Sequence, residues 1–262
     1  MKKFLAILMA LSMTLALAAC GGDNAEDQSS DAPAEVKIGM TLYEPMNYMD
    51  ENGELTGFET EFAKAVYGKL GMTPVFQEIN WDSKVMELNS ENIDCIWNGM
   101  TKTPELDEGL TLTAPYLKNY QVVVIRAEDA DKYTSTADLA DKKVDAEAGS
   151  TGESALKADE NLSKDAYTSV TKQVDALLEV KTGAADACVL DFVLANALVG
   201  QGDYSDLTVI PDLQLSVEEY VVGFRKDDAL AEQVNGAIAE LAEDGTLEEL
   251  AVKYELDDLL VK

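Results

Sequence analysis

The chain has 262 residues and carries 50 acidic against 20 basic side chains, a formal net charge of −30. So strong a negative charge argues against a nucleic-acid partner, because binding to nucleic acid depends on Lys and Arg neutralising phosphates. The sequence has no histidine, which excludes Ser-His-Asp and Cys-His nucleophile pairs and removes the commonest metal ligand, so we expect no metal or other cofactor.

The N-terminal segment predicts targeting rather than folded structure. Lys2 and Lys3 precede an apolar run over 4–17, which is typical of a secretory signal peptide and is shorter than the ~20 residues that span a bilayer. The run ends in LAAC at 17–20, which is similar to the lipobox of bacterial lipoproteins. We expect a signal peptide over 1–19, a lipid on Cys20 and a flexible tether over 20–35. An ordinary secretory signal that happens to precede a cysteine is the alternative.

From residue 36 onward, short apolar runs alternate with helical periodicity, which predicts an α/β fold. The predicted strands are 36–40, 73–77, 95–99, 120–126, 143–148, 187–190 and 221–225. Phe58, Phe62 and Val66 predict one face of a helix, and Thr246 with Glu249 has the spacing of a capping box.

The strands at 120–126 and 221–225 flank a central insert, which indicates two lobes of roughly 100 residues each, joined by two hinge strands. The predicted division is 36–125 with 220–262 for lobe I, and 126–219 for lobe II.

Ordered motifs from residue 36 almost to the C-terminus carry a resemblance to a known family. They are GELTGFE at 53–59, DCIWNGMT at 94–101 with TPE at 103–105, APY at 114–116, ADLADKKV at 137–144, AGST at 148–151, GAADACVLD at 183–191 and DGTL at 244–247. In this order they resemble the family 3 extracellular solute-binding proteins, the polar-amino-acid receptors of ABC transporters.

The resemblance implies a two-lobed, periplasmic-binding-protein-like fold of type II, with the ligand in the interlobe cleft and closure presenting it to a membrane permease. We expect the substrate-binding component of an ABC importer. We expect it to be a monomer, anchored through Cys20 to the outer face of the bacterial cytoplasmic membrane, or on its periplasmic side in a Gram-negative cell.

Five residues are implied by the resemblance to meet the polar head of the ligand. Asp191 ends an apolar strand where the family pairs a carboxylate with the ligand's ammonium. Thr101 and the Gly99 backbone occupy a segment that supplies a hydroxyl and main-chain groups. Ser150 and Thr151 precede a helix whose N–H groups can hold an anion. Each also has a structural explanation: a strand-end acid, a turn threonine, and a capping box between Ser150 and the residue three positions on.

Three further positions concern specificity. Tyr43 and Trp81 match positions where the family places aromatic side chains against the ligand, and core packing is the competing explanation. Glu44 faces either solvent or the far end of the ligand.

The main departure from the family pattern is Leu106. The pattern has an arginine there, whose planar fork grips the ligand's carboxylate, and leucine cannot do this. Three explanations remain open. Helix-end amides and Thr101 hold the carboxylate, or the side chain of Lys84, Lys102 or Lys118 reaches the carboxylate, or the ligand has no carboxylate.

The ligand is therefore expected to be a small amino acid or amino-acid-like molecule, with a cationic amine or polyamine as the alternative. We expect no enzymatic activity. A dehydratase-like enzyme on the same fold, with an acid such as Glu44 as proton donor, is the remaining alternative.

Overall fold

The computed structural model describes residues 34–162 and 167–262. Residues 33–262 form one compact unit. The predicted signal peptide, Cys20 and most of the predicted tether lie outside the described residues. The first strand includes Glu35, which the prediction assigned to the tether.

The described part of the chain alternates strands and helices. The strands are β1 (Glu35–Met40), β2 (Tyr48–Met49), β3 (Leu55–Thr56), β4 (Thr73–Glu78), β5 (Cys95–Ile96), β6 (Thr111–Leu112), β7 (Leu117–Arg126), β8 (Val144–Glu147), β9 (Tyr167–Val170), β10 (Ala187–Asp191), β11 (Leu207–Tyr220) and β12 (Gly223–Phe224). The α-helices are α1 (Phe58–Lys69), α2 (Lys84–Asn89), α3 (Pro104–Gly109), α4 (Thr151–Ala158), α5 (Gln173–Thr182), α6 (Phe192–Leu198), α7 (Leu230–Glu243) and α8 (Thr246–Lys253).

Two five-stranded sheets organise the fold, and each is the centre of one lobe. The first sheet has the strand order β4-β1-β5-β12-β6, and the second has the order β11-β7-β10-β8-β9. In the first sheet β1 pairs in parallel with β4 and β5, and in the second β8 pairs in parallel with β9 and β10. Parallel neighbours need helical crossovers, which explains the alternation of strands and helices in the sequence.

The chain passes between the sheets at two places, after β6 and after β11. β7 belongs to the second sheet, where it pairs antiparallel with β10 and with the long strand β11. The predicted strand at 221–225 is shorter than expected, since only Gly223–Phe224 is a strand and it belongs to the first sheet. The exact division into lobes stays a prediction.

The core of the first lobe is aromatic. Phe58, Phe62 and Val66 are fully buried on one face of α1, as their spacing predicted. Trp97 packs edge-on against Phe62 with ring centroids 5.4 Å apart, and it also contacts Tyr67 at 6.1 Å. Such edge-to-face pairs add to the stabilisation from burial.

The two predicted capping boxes have different outcomes. Ser150 Oγ accepts from Glu153 N–H at 3.0 Å, but the Glu153 carboxylate accepts from Gly149 N–H instead of closing the box on Ser150. The Thr246 prediction is wrong, because Gly245 at φ 88° precedes α8 and Thr246 is already its first residue.

Several other features of the described residues bear on function. Cys95 and Cys188 are buried free thiols. Within 34–162 and 167–262, no cluster of three or more His, Cys, Asp or Glu side chains is arranged to hold a metal ion. No helix of this part of the chain has the length and apolar character needed to cross a membrane.

Candidate functional site

A cleft of about 300 Å³ lies between the two lobes. The predicted residues that line it are Tyr43, Trp81, Gly99, Thr101, Leu106, Ser150, Thr151 and Asp191. Glu44 is half-buried and lies outside the lining, so the structure does not bring it together with the others. The lining also includes residues that the sequence did not single out, among them Asp82, Asn98, Glu105, Glu147 and Gln173.

The lobes contact each other across this cleft. Lys84 Nζ, from the first lobe, donates to the Gly149 carbonyl of the second lobe at 2.9 Å. Lys172 Nζ also lies 2.5 Å from Glu78 Oε1. Gly149 has φ +70°, and a Cβ there would lie 2.7 Å from Asp82 Cα, so a glycine permits this close approach.

Asp191 is a buried carboxylate held by three side-chain amides. Asn119 Nδ2 donates to its Oδ1 at 2.8 Å, and Gln121 Nε2 donates to the same oxygen. Gln173 Nε2 donates to Oδ2 at 2.5 Å. These neutral donors fix the orientation of the carboxylate without neutralising its charge.

A second carboxylate lies beside this group. Glu218, on β11, accepts hydrogen bonds from the Thr101 hydroxyl at 2.8 Å and from the Thr151 hydroxyl at 3.2 Å. Asn119 Nδ2 also donates to it at 3.0 Å. Glu218 therefore links a threonine of each lobe to the strand that returns the chain to the first lobe.

The charge of Glu218 disfavours ionisation of Asp191. Burial, and after it the nearby charge of Glu218, raise the pKa of Asp191 to about 6, although the amide donors oppose the shift. A ligand ammonium placed in the cleft supplies the positive charge that stabilises ionised Asp191.

Glu147 and Lys84 add opposite charges to the cleft wall. Glu147, at the end of β8, is 3% exposed, and burial together with Asp191 raises its pKa to about 8. Lys84 is also buried, and this lowers its pKa. Its Nζ lies 4.6 Å from the centroid of the Trp81 ring.

Of the three lysines considered as substitutes for an arginine, Lys84 lines the cleft and the other two do not. Lys102 lies 3.9 Å from Asp107 on the surface, and Lys118 is exposed on β7. Leu106 packs with its side chain against the apolar cluster that contains Trp81. The position of the expected arginine is thus an apolar part of the cleft wall.

Buried polar groups also shape the first-lobe wall. Glu59 accepts from the Gly99 N–H with both oxygens, at 2.9 and 3.0 Å, and from the Tyr116 hydroxyl. Burial raises the pKa of Glu59 to about 7 although these donors oppose the shift. Gly99 has φ +55°, and a Cβ there would lie 2.7 Å from the Tyr43 ring.

The two predicted aromatic residues are both buried and both line the cleft, so packing and ligand contact are compatible. Tyr43 is 3% exposed, and its hydroxyl hydrogen-bonds the Tyr220 hydroxyl at 2.8 Å. Trp81 is 7% exposed and packs in an apolar cluster of the first lobe.

Comparison with known proteins identifies relatives along nearly the whole chain. The family model described as bacterial extracellular solute-binding proteins, family 3, matches residues 36–257. The arginine-binding extracellular protein ArtP of Bacillus subtilis (strain 168) is 30% identical over 259 residues, which cover 97% of this chain and 98% of ArtP.

Two solved structures extend the comparison to the fold. An ancestral arginine-binding protein bound to arginine superposes with a TM-score of 0.78 at 31% identity, over 85% of this chain and 99% of that one. An ancestral amino-acid-binding protein, described as a precursor of cyclohexadienyl dehydratase, superposes with a TM-score of 0.76 at 30% identity, over 84% of this chain and 95% of that one. These neighbours confirm the two-lobed fold of the type II periplasmic binding proteins.

Proposed function

The chain belongs to the bacterial extracellular solute-binding proteins of family 3, and from this premise we propose that it is the substrate-binding component of an ABC importer. It closes its lobes around a small amino acid or amino-acid-like ligand and presents it to a membrane permease. The observation that carries the proposal is Asp191, a buried carboxylate that side-chain amides hold at the cleft. It pairs with the ammonium group of the ligand.

The ligand's carboxylate has a place at the start of α4. Ser150 and Thr151 line the cleft there, and the first N–H groups of a helix have no partner within the helix. Lys84 supports this placement, because its Nζ is 2.9 Å from the carbonyl oxygen of the neighbouring Gly149. These groups take over the role of the arginine that Leu106 replaces.

A cationic amine without a carboxylate is the second candidate ligand. Leu106 favours it, because the cleft wall is apolar where the family pattern has a carboxylate-binding arginine. Asp191 and Glu147 favour it as well, since both attract positive charge.

We propose binding rather than catalysis. The structural relative that is a precursor of a dehydratase is itself described as an amino-acid-binding protein. Incubation with amino acids, amines and prephenate-like acids, followed by mass spectrometry, is expected to return every compound unchanged. Turnover of a prephenate-like acid would contradict the proposal.

The same proposal includes a lipid anchor on Cys20 at the outer face of the cytoplasmic membrane. Two acylation signals hold a protein on a membrane stably. The Cys20→Ala variant has no thiol to acylate. Metabolic labelling with a palmitate analogue is expected to mark the wild type and not the variant. Equal labelling of the two proteins would contradict the anchor.

The direct test of the binding proposal is calorimetric titration of Asp191→Asn and of the control Asp206→Asn. Asp206 is exposed and lies outside the cleft. Loss of the buried charge is expected to weaken binding of an ammonium ligand by about 30-fold or more, with the control unchanged. Equal affinity of the two variants would mean that Asp191 does not hold the ligand.

A further inference from the structure

Glu147 is a buried carboxylate that faces the cleft with an unpartnered oxygen. It is 3% exposed and lines the same cavity as Asp191. Among the described residues, no group hydrogen-bonds its buried Oε1 atom. A buried carboxylate oxygen without a partner is unfavourable, so such a group in a cleft indicates a missing partner.

The charge of Lys84 lowers the pKa of Glu147, but Lys84 makes no hydrogen bond to the unpartnered oxygen. Among the described residues that line the cleft, Lys84 is the one cationic side chain. Its Nζ donates to the carbonyl oxygens of Trp81 and Gly149, at 3.2 and 2.9 Å. The next charge, Asp191, is negative and makes ionisation of Glu147 less favourable.

The sheet brings the two acids together at one edge. β8 and β10 are parallel neighbours, and they end at Glu147 and Asp191. The carboxyl ends of parallel strands meet at the same edge of a sheet, where ligands of α/β proteins bind. Gln173 lies between the acids, since it donates to Asp191 and also lowers the pKa of Glu147.

We infer that Glu147 is a second cation subsite, and that the ligand of this cleft carries two positive groups, one for Asp191 and one for Glu147. The inference rests on the proposed function and specifies its ligand class. Trp81, Val85 and Leu106 give the cavity an apolar wall, which suits a methylene chain between the two charges. A cavity of about 300 Å³ fits a molecule the size of L-lysine, L-arginine or a short diamine.

The test uses ligand pairs that differ in the distal charge. L-lysine is compared with L-norleucine, and L-arginine with L-citrulline, while cadaverine is L-lysine without the carboxylate. The wild type, Glu147→Gln and the control Glu108→Gln are titrated with each compound by calorimetry. Glu108 is exposed and outside the cleft, so its variant removes one charge without touching the site.

The wild type is expected to bind at least one dicationic compound about 30-fold or more tightly than its neutral counterpart. Glu147→Gln is expected to lose that preference and Glu108→Gln to keep it, with both variants melting cooperatively. Equal binding of charged and neutral counterparts, or a preference that survives Glu147→Gln, overturns the inference and leaves the proposed function standing. Absence of binding to any amino acid or amine overturns both.

Discussion

Gln173 and Asp191 contact each other through two reciprocal hydrogen bonds. The Gln173 amide Nε2 donates to Asp191 Oδ2 at 2.5 Å, and the Asp191 backbone N–H donates to Gln173 Oε1 at 3.0 Å. Gln173 is the first residue of α5, so this helix fixes both the backbone and the carboxylate at the end of β10. The direction in which Asp191 meets a ligand therefore depends on a residue distant in the sequence.

Replacing Gln173 tests this positioning role. Gln173→Leu keeps much of the side-chain volume and removes both hydrogen bonds, so Asp191 is expected to lose orientation and ligand affinity to fall about 5- to 30-fold. Calorimetry measures the affinity, and Gln233→Leu, at an exposed position of α7 outside the cleft, is the control for the same change. Wild-type affinity in Gln173→Leu would show that the other two amides suffice.

Restoring an arginine at Leu106 tests how the cleft treats a carboxylate. Leu106→Arg is expected to improve binding of amino acids by about tenfold, because a guanidinium can grip a carboxylate with two parallel hydrogen bonds. Leu106→Lys adds the same charge without the planar fork and is expected to gain less. Cadaverine, which lacks a carboxylate, is expected to bind both variants more weakly than the wild type. No gain for any amino acid in a cooperatively folding Leu106→Arg protein would contradict this role of the position.

The pH dependence of binding follows from the two raised carboxyl pKa values. Asp191 titrates with a pKa of about 6, and Glu147, which faces Asp191, Lys84 and Asp175, with one of about 8. Below these values the acids are neutral and cannot pair with a cation, so affinity for a cationic ligand is expected to rise from pH 5 to pH 8.

The same titration predicts a proton release on binding near pH 7, because the incoming cation ionises Glu147. Calorimetry in buffers of different ionisation enthalpy measures it. Glu147→Gln, which cannot ionise at that position, is the control and is expected to show a smaller release. Affinity for a cationic ligand that is flat or falling from pH 5 to pH 8 would contradict the predicted rise.

Glu59 is expected to stabilise the first-lobe wall. In Glu59→Gln an amide nitrogen replaces one acceptor, although Gly99 N–H, Tyr116 and Asn47 all donate to this group. Leaving a buried donor without an acceptor is expected to lower the free energy of unfolding by about 1–3 kcal/mol. Urea unfolding measures this, with the exposed Glu54→Gln as control. Equal unfolding midpoints for the two variants would argue against the role.

Local patterns predicted the buried face of α1 and missed the longest strand, β11. The four-residue spacing of Phe58, Phe62 and Val66 is local information, and α1 buries all three. β11 carries Pro211 and a positive φ of 59° at Asp212, and its pairing with β7 is irregular beyond Val209. Its strand character comes from pairing with β7, a partner that is distant in the sequence.

The sequence predicted those site residues that belong to a family motif. It missed those whose burial depends on the fold. Asp191, Thr101 and Thr151 belong to motifs and line the cleft. Glu147 ends the segment VDAE, which reads as an alternating strand with a solvent-facing acid. The burial of Glu147 and its proximity to Lys84 depend on the opposite lobe. The one signal that could have indicated Glu147 was that the parallel strands β8 and β10 end side by side.

We propose that the cleft binds a small molecule through its ammonium group. The most direct measurement is a thermal-shift screen of the compact unit 33–262 against amino acids, amines and polyamines, because a ligand that binds the native state raises the melting temperature. A rise is expected with a few ammonium-bearing compounds, and it is expected to disappear in Asp191→Asn. No rise with any of them, or a rise that persists in that variant, would contradict it.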